Sequence, residues 1–99
     1  MTQFTRNVQF EIQPGKSQEF KSTMEKEILP LMKKQAGFRG ELALVNDSHA
    51  VGISVWDSAS NAETYRTNTY PQVLETLKPV IVGTPSVETF DIAATTYRS

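Results

Sequence analysis

A chain of 99 residues has room for a single domain, taken here as residues 1–99, and its 38% hydrophobic and 21% charged content is that of a globular protein rather than a disordered chain. Ten Lys and Arg against eleven Asp and Glu give a net charge of −1, with only Lys33 and Lys34 adjacent, so there is no basic stripe to hold a nucleic-acid backbone. The absence of cysteine excludes disulfides, thiolate metal sites and thiol nucleophiles and fits a cytoplasmic location; no apolar run approaches the roughly 18 residues of a membrane span, and MTQFTRNVQF lacks the apolar core of a secretion signal.

Residues 3–13 alternate. Phe4, Arg6, Val8, Phe10 and Ile12 share one face and polar residues take the other, which predicts a strand that Pro14-Gly15 ends. The period then changes. Phe20, Met24, Ile28 and Leu31 form a helical stripe that Leu29 and Met32 widen. Pro30 lacks an N–H and predicts a kink or break, and Gly37 suits the position just past the helix end.

FRGELALVN alternates again, with Phe38, Leu42 and Leu44 on one side. Asn46-Asp47-Ser48-His49 is turn chemistry, and the glycosylation-like triplet within it reads simply as a turn. In AVGISVW, Val51, Ile53 and Val55 oppose Gly52, Ser54 and Trp56, so the two strands form a hairpin. Asp57 or Ser58 caps a second helix carrying Ala62 and Tyr65, and Tyr70-Pro71 interrupts it. Val73, Leu74, Leu77 and Ile81 resume the stripe, Gly83 closes it, and PSVETFDIAA is the last strand.

The order β-α-β-β-α-β predicts an α+β, ferredoxin-like domain, a four-stranded antiparallel sheet with both helices on one face. The other face is open. Two sheets packed face to face would cover it, which predicts a homodimer. If Val51, Ile53 and Val55 face the helices, Trp56 belongs to the dimer interface.

The chain resembles the dimeric α+β-barrel proteins, and among them the antibiotic-biosynthesis-monooxygenase-like group. The residues that carry this are V-x-F-x-I-x-P-G-K running into a helix with EF, LP late in that helix, and GF-x-G opening the second strand. W-x-S at the end of the third strand, A-x-x-Y in the second helix and P-x-V-E-x-F in the last strand complete them. The resemblance implies oxidation of an electron-rich aromatic or enol substrate by molecular oxygen, without metal or flavin cofactor, in a pocket between helices and sheet. Where relatives often hold a histidine or tryptophan, nine residues after the strand tryptophan, this chain has Tyr65. The haem-degrading branch has an asparagine on the first strand where this chain has Val8, with Asn7 one residue off, and a helical histidine where it has Glu75; these departures argue against haem.

Tyr65 is therefore the candidate catalytic residue, to orient or deprotonate the substrate. Arg6, Tyr70, Val8, Phe10 and Met24 are the candidate substrate-binding residues, the first two polar and the rest an apolar wall. His49, the one histidine, lies in a turn, so neither a histidine triad nor a multi-histidine metal centre can be built. Two other readings stay open: a non-catalytic dimeric barrel binding a small ligand or a protein, and an isomerase of similar architecture.

Overall fold

The computed structural model describes residues 3–96, so the ends of the expected domain lie outside the described residues. Strand β1 (Phe4–Ile12) leads into helix α1 (Ser17–Thr23), a π-helical turn (Met24–Ile28) and α2 (Leu29–Met32). Strands β2 (Phe38–Val45) and β3 (His49–Trp56) form the hairpin, and α3 (Ala59–Asn68), α4 (Tyr70–Leu77) and β4 (Ile81–Asp91) follow. The sheet order is β2-β3-β1-β4 with every neighbouring pair antiparallel, which is the ferredoxin-like arrangement.

The first strand follows its alternation: Arg6, Val8, Phe10 and Ile12 are buried beneath the helices. The helix that follows is rewound where a kink was expected. Pro30 offers no N–H to the turn before it, and its ring crowds the carbonyl four residues back. The chain accommodates this by widening, with the Leu29 N–H donating to the Met24 carbonyl five residues earlier. Phe20, Met24, Ile28 and Met32 are the buried residues. In a regular α-helix each step of four overshoots a full turn by about 40°, so this stripe would drift off the core. The wide turn absorbs part of that drift and brings Met32, rather than Leu31, inward.

Two bulges overturn other expectations. In β2, Phe38 pairs with Trp56 but Gly40 pairs with Val55, so Arg39 is an extra residue. Bidentate bonds from Arg39 Nε and Nη2 to Asp57, at 2.5 and 3.3 Å, hold it there. A one-residue slip flips every later side chain. Phe38 therefore shares the helix side with Trp56, whereas Leu42 and Leu44 pair with Ile53 and Val51 on the open side. In β4, Ser86 pairs with Gln9 but Val82 with Glu11, and Gly83 adopts φ +67° in the bulge between. Ile81 and Gly83 thus belong to the strand and not to the helix, which stops at Leu77 before the turn containing Pro79.

The parity expected for β3 is reversed. Ala50, Gly52, Ser54 and Trp56 face the helices, and Val51, Ile53 and Val55 face the open side. Trp56 is 0% exposed within its own chain, so it is a core residue and not an interface one. The reason is room: Gly52 and Ser54 are small, and the helices fill the space above them with aromatic rings. The indole N–H donates to Ser54 Oγ at 2.9 Å, so its one polar atom is satisfied.

Ser58 caps α3, its hydroxyl accepting from the Asn61 N–H. The break at Tyr70-Pro71 occurs as expected, with Pro71 in the first turn of α4. In the hairpin turn Asn46 Oδ1 accepts from the Ser48 and His49 N–H groups.

Candidate functional site

Arg6 stands in mid-strand, opposite Ser54 of β3 and Thr89 of β4, and is only 2% exposed. Burying a guanidinium costs several kcal/mol unless other groups replace its water. Two aromatic rings do part of this: the Arg6 Cζ lies 4.3 Å from the Tyr70 ring centroid and 5.3 Å from that of Tyr65. Arg6 Nη2 and the Tyr70 hydroxyl are nevertheless buried without hydrogen-bond partners. Both residues line a cavity of about 20 Å³ between helices and sheet. That is room for about one water molecule.

The same cavity gathers the other expected residues. Val8 and Phe10 rise from β1, Met24 from the π turn, and Tyr65 from α3, with Ile28, Met32, Val73 and Leu77 completing the apolar wall. Strand parity had separated Trp56 from the tyrosines, but the rings form one continuous stack. Phe38 packs edge-on to Trp56 at 5.5 Å, Trp56 lies 4.9 Å from Tyr65, and Tyr65 lies 6.0 Å from Tyr70. Each such pair contributes about 0.5–1.5 kcal/mol beyond simple burial. Trp56, Tyr70 and Arg6 thus all pack against the Tyr65 ring.

Burial raises the Tyr65 phenol well above its ordinary pKa, against the pull of Arg6. Burial raises Tyr70 as well. Both phenols are therefore protonated near neutrality, where a hydroxyl is able to donate a hydrogen bond.

Glu41 is the residue that sequence reasoning missed. The bulge at Arg39 turns it toward the helices, in register with Ser54, where it joins the cavity lining. Its Oε2 lies 2.9 Å from where any side chain at Gly52 would begin, so the glycine makes its place. Burial raises its pKa to about 7, with the Arg6 charge opposing. Among the described residues no direct ion pair joins Glu41 to Arg6. Gly52 was the available signal, but without the register it does not point to Glu41.

A second opening of about 380 Å³ lies between the first helix and β2, lined by Phe20, Lys21, Met24, Glu25, Leu29, Ala43 and Val45. Met24 lines both spaces. His49 is exposed at the hairpin, Arg66 is exposed and paired with Glu63, and Asn7 lies on the open side of β1 in register with Ile53. No three acidic or histidine side chains converge as metal ligands among the described residues. Among the same residues no helix is long and apolar enough to cross a membrane.

No protein-family model and no curated protein matches the sequence. Solved structures do match over nearly the whole chain. SnoaB, a cofactor-independent oxygenase from Streptomyces nogalater, superposes with a TM-score of 0.80 at 17% identity, covering 99% of this chain and 100% of its own. A candidate antibiotic biosynthesis monooxygenase from Bordetella bronchiseptica gives a TM-score of 0.81 at 12% identity, covering 95% and 100%. The fold is that of the antibiotic-biosynthesis-monooxygenase-like proteins. A further monooxygenase of this fold, from the ActVA-Orf6 gene of Streptomyces coelicolor and solved with Nanaomycin D, matches at 0.78 with 15% identity, covering 99% and 94%. At these identities the likeness carries the antibiotic-biosynthesis-monooxygenase-like fold alone.

Proposed function

We propose that this protein is a cofactor-independent oxygenase that takes a small aromatic or enolic substrate between helices and sheet. The observation that carries the reading is Arg6: a buried cation with an unspent donor, beneath two tyrosine rings and beside a cavity. Such a group is costly to keep unless an anionic oxygen spends part of the cycle against it. An electron-rich substrate, once deprotonated, supplies both that anion and the electrons for oxygen. For an anthrone-like ring methylene the balance is CH2 + O2 → C=O + H2O: one oxygen atom enters the new carbonyl and the other leaves as water. The chain's own part is to bind, orient, exclude water and hold the charge. Arg6 stabilises the anion, and Tyr65 and Tyr70 donate hydrogen bonds that orient it. Val8, Phe10 and Met24 press on the ring. The structural likeness to a cofactor-independent oxygenase supports the same reading.

A cavity of about 20 Å³ does not hold an aromatic ring, whereas small-molecule sites usually span hundreds of Å³. Met24 lines both that cavity and the second opening, and an unbranched methionine swinging aside at low cost would join them. The ring would lie in the joined space with its oxygen toward Arg6. The small volume also favours a second reading, ligand binding without turnover.

The open sheet face supports a homodimer. Leu42 and Phe90 are 55% and 48% exposed there, beside Leu44, Val51, Ile53 and Val55. A contiguous apolar face of this kind marks an interface.

Oxygen uptake with a panel of anthrones and hydroquinones tests the catalytic reading. Arg6→Met, which fills the volume without the charge, is expected to lower kcat/KM about 100-fold or more. Tyr65→Phe is expected to lose roughly tenfold; wild-type rates in that variant would remove its orienting role. Binding of the panel with no oxygen consumed selects the second reading.

A further inference from the structure

Proton removal needs a base, and among the residues lining the cavity both phenols are held in the protonated form by burial. Glu41 is the one carboxylate on that lining. It reaches the cavity because of two local features: the bulge at Arg39 reverses the parity of β2, and Gly52 across the strand leaves the space its carboxylate fills. The groups that line the cavity with it come from several elements. Arg6 stands on β1, Tyr65 on α3 and Tyr70 on α4, while β3 presents only Gly52 and Ser54 and the π turn presents Met24. Arg6 and Glu41 thus line one cavity with opposite charges and no direct bond between them. A phenol or enolisable ketone fits that arrangement, since its oxygen belongs at the cation and its acidic hydrogen at the carboxylate.

We propose that Glu41 is the general base of the site, taking the proton from the bound phenol or enolisable carbon while Arg6 holds the oxyanion that results. The step is R–H + Glu41 carboxylate → R⁻ + Glu41 carboxylic acid; it is redox-neutral, and electrons leave the substrate only when molecular oxygen accepts them. A base is most effective when its pKa lies near the working pH, and burial has moved this carboxyl into that range. The assignment rests on the oxygenase reading above, and the test separates the two.

Oxygen uptake with 1,8-dihydroxyanthrone is measured from pH 5 to 9 for the wild type and Glu41→Gln, which keeps shape and removes the base. Expected is a wild-type limb in kcat/KM near pH 7; in the variant the limb is absent and kcat is about 100-fold lower, with KM changed less than about threefold. A variant that keeps both limb and rate overturns the role of Glu41 and leaves the oxygenase reading standing. If the wild type consumes no oxygen, the oxygenase reading fails and emission from bound 2-naphthol, a photoacid, decides the base. Naphtholate emission from the wild type and neutral emission from Glu41→Gln uphold it. Equal emission from the two, or no binding to either, overturns it.

Discussion

Arg6 and Glu41 are ionisable groups in the layer between sheet and helices, and Glu41 leaves a thermodynamic trace independent of activity. The pKa of Glu41 is higher in the folded chain, about 7, than the ordinary 4.5. Below the ordinary value both states are protonated and the folded state carries no penalty. As pH rises from about 4.5 to 7 the unfolded chain loses its proton first, so stability falls through that window. Glu41→Gln does not titrate. Its melting temperature relative to wild type is therefore expected to climb between pH 4.5 and 8, by the equivalent of about 2–3 kcal/mol at most. Equal pH dependence in the two proteins, followed by circular dichroism, would show that the carboxyl is solvated in the fold. Arg6 was legible as an anomaly, a charge on an apolar strand face. Glu41 was not, because its orientation depends on an inserted residue two positions earlier.

At the scale of the elements, the junctions decide where side chains go. Gly37 follows the first helix with φ +78°, and a Cβ there would come within 2.3 Å of the Asn61 side chain. Asn61 in turn accepts from the Ser58 hydroxyl and donates its N–H to it, so the cap of α3 is locked against the end of the preceding helix. Gly15 has a similar φ, +77°, but open space around it. Gly15→Ala is expected to cost about 1–2 kcal/mol, the penalty of left-handed backbone alone. Gly37→Ala is expected to cost more, because it must also displace Asn61. Equal losses in urea denaturation would mean that the cap yields freely. The helix stripe, the caps, the turn at Asn46 and the break at Tyr70-Pro71 were legible, since each follows from residues adjacent in the chain. The π turn was visible only as the conflict at Pro30, and its effect, Met32 inward in place of Leu31, required the wound helix.

For the molecule as a whole, the unbalanced feature is the open sheet face. It is apolar at Leu42, Leu44, Ile53 and Phe90, and the helices cover only the other side. Light scattering at micromolar concentration is expected to give twice the chain mass. Ile53→Asp, at the centre of that face and remote from the cavity lining, is expected to give the monomer with its circular dichroism retained. A wild-type monomer at that concentration would dispose of the dimer. Trp56 has no part in this surface.

Composition and alternation by themselves determined the class of fold: the element order, the helix-side face of β1 and the stripe of the first helix are all local periodicities, and period and handedness leave few ways to connect them. They also placed Arg6, Val8, Phe10 and Met24 on their elements' apolar faces; Tyr65 was singled out by the resemblance and Tyr70 by the helix break, and one cavity collects all six. Only the tertiary structure decided which side of β3 is inward, that Trp56 joins the tyrosines in one stack, and that Glu41 lines the same cavity as Arg6. The physical reason is common to all three. A strand's period of two states that its residues alternate but not which set is covered, and a single bulged residue, here Arg39 pinned by Asp57, exchanges the sets beyond it.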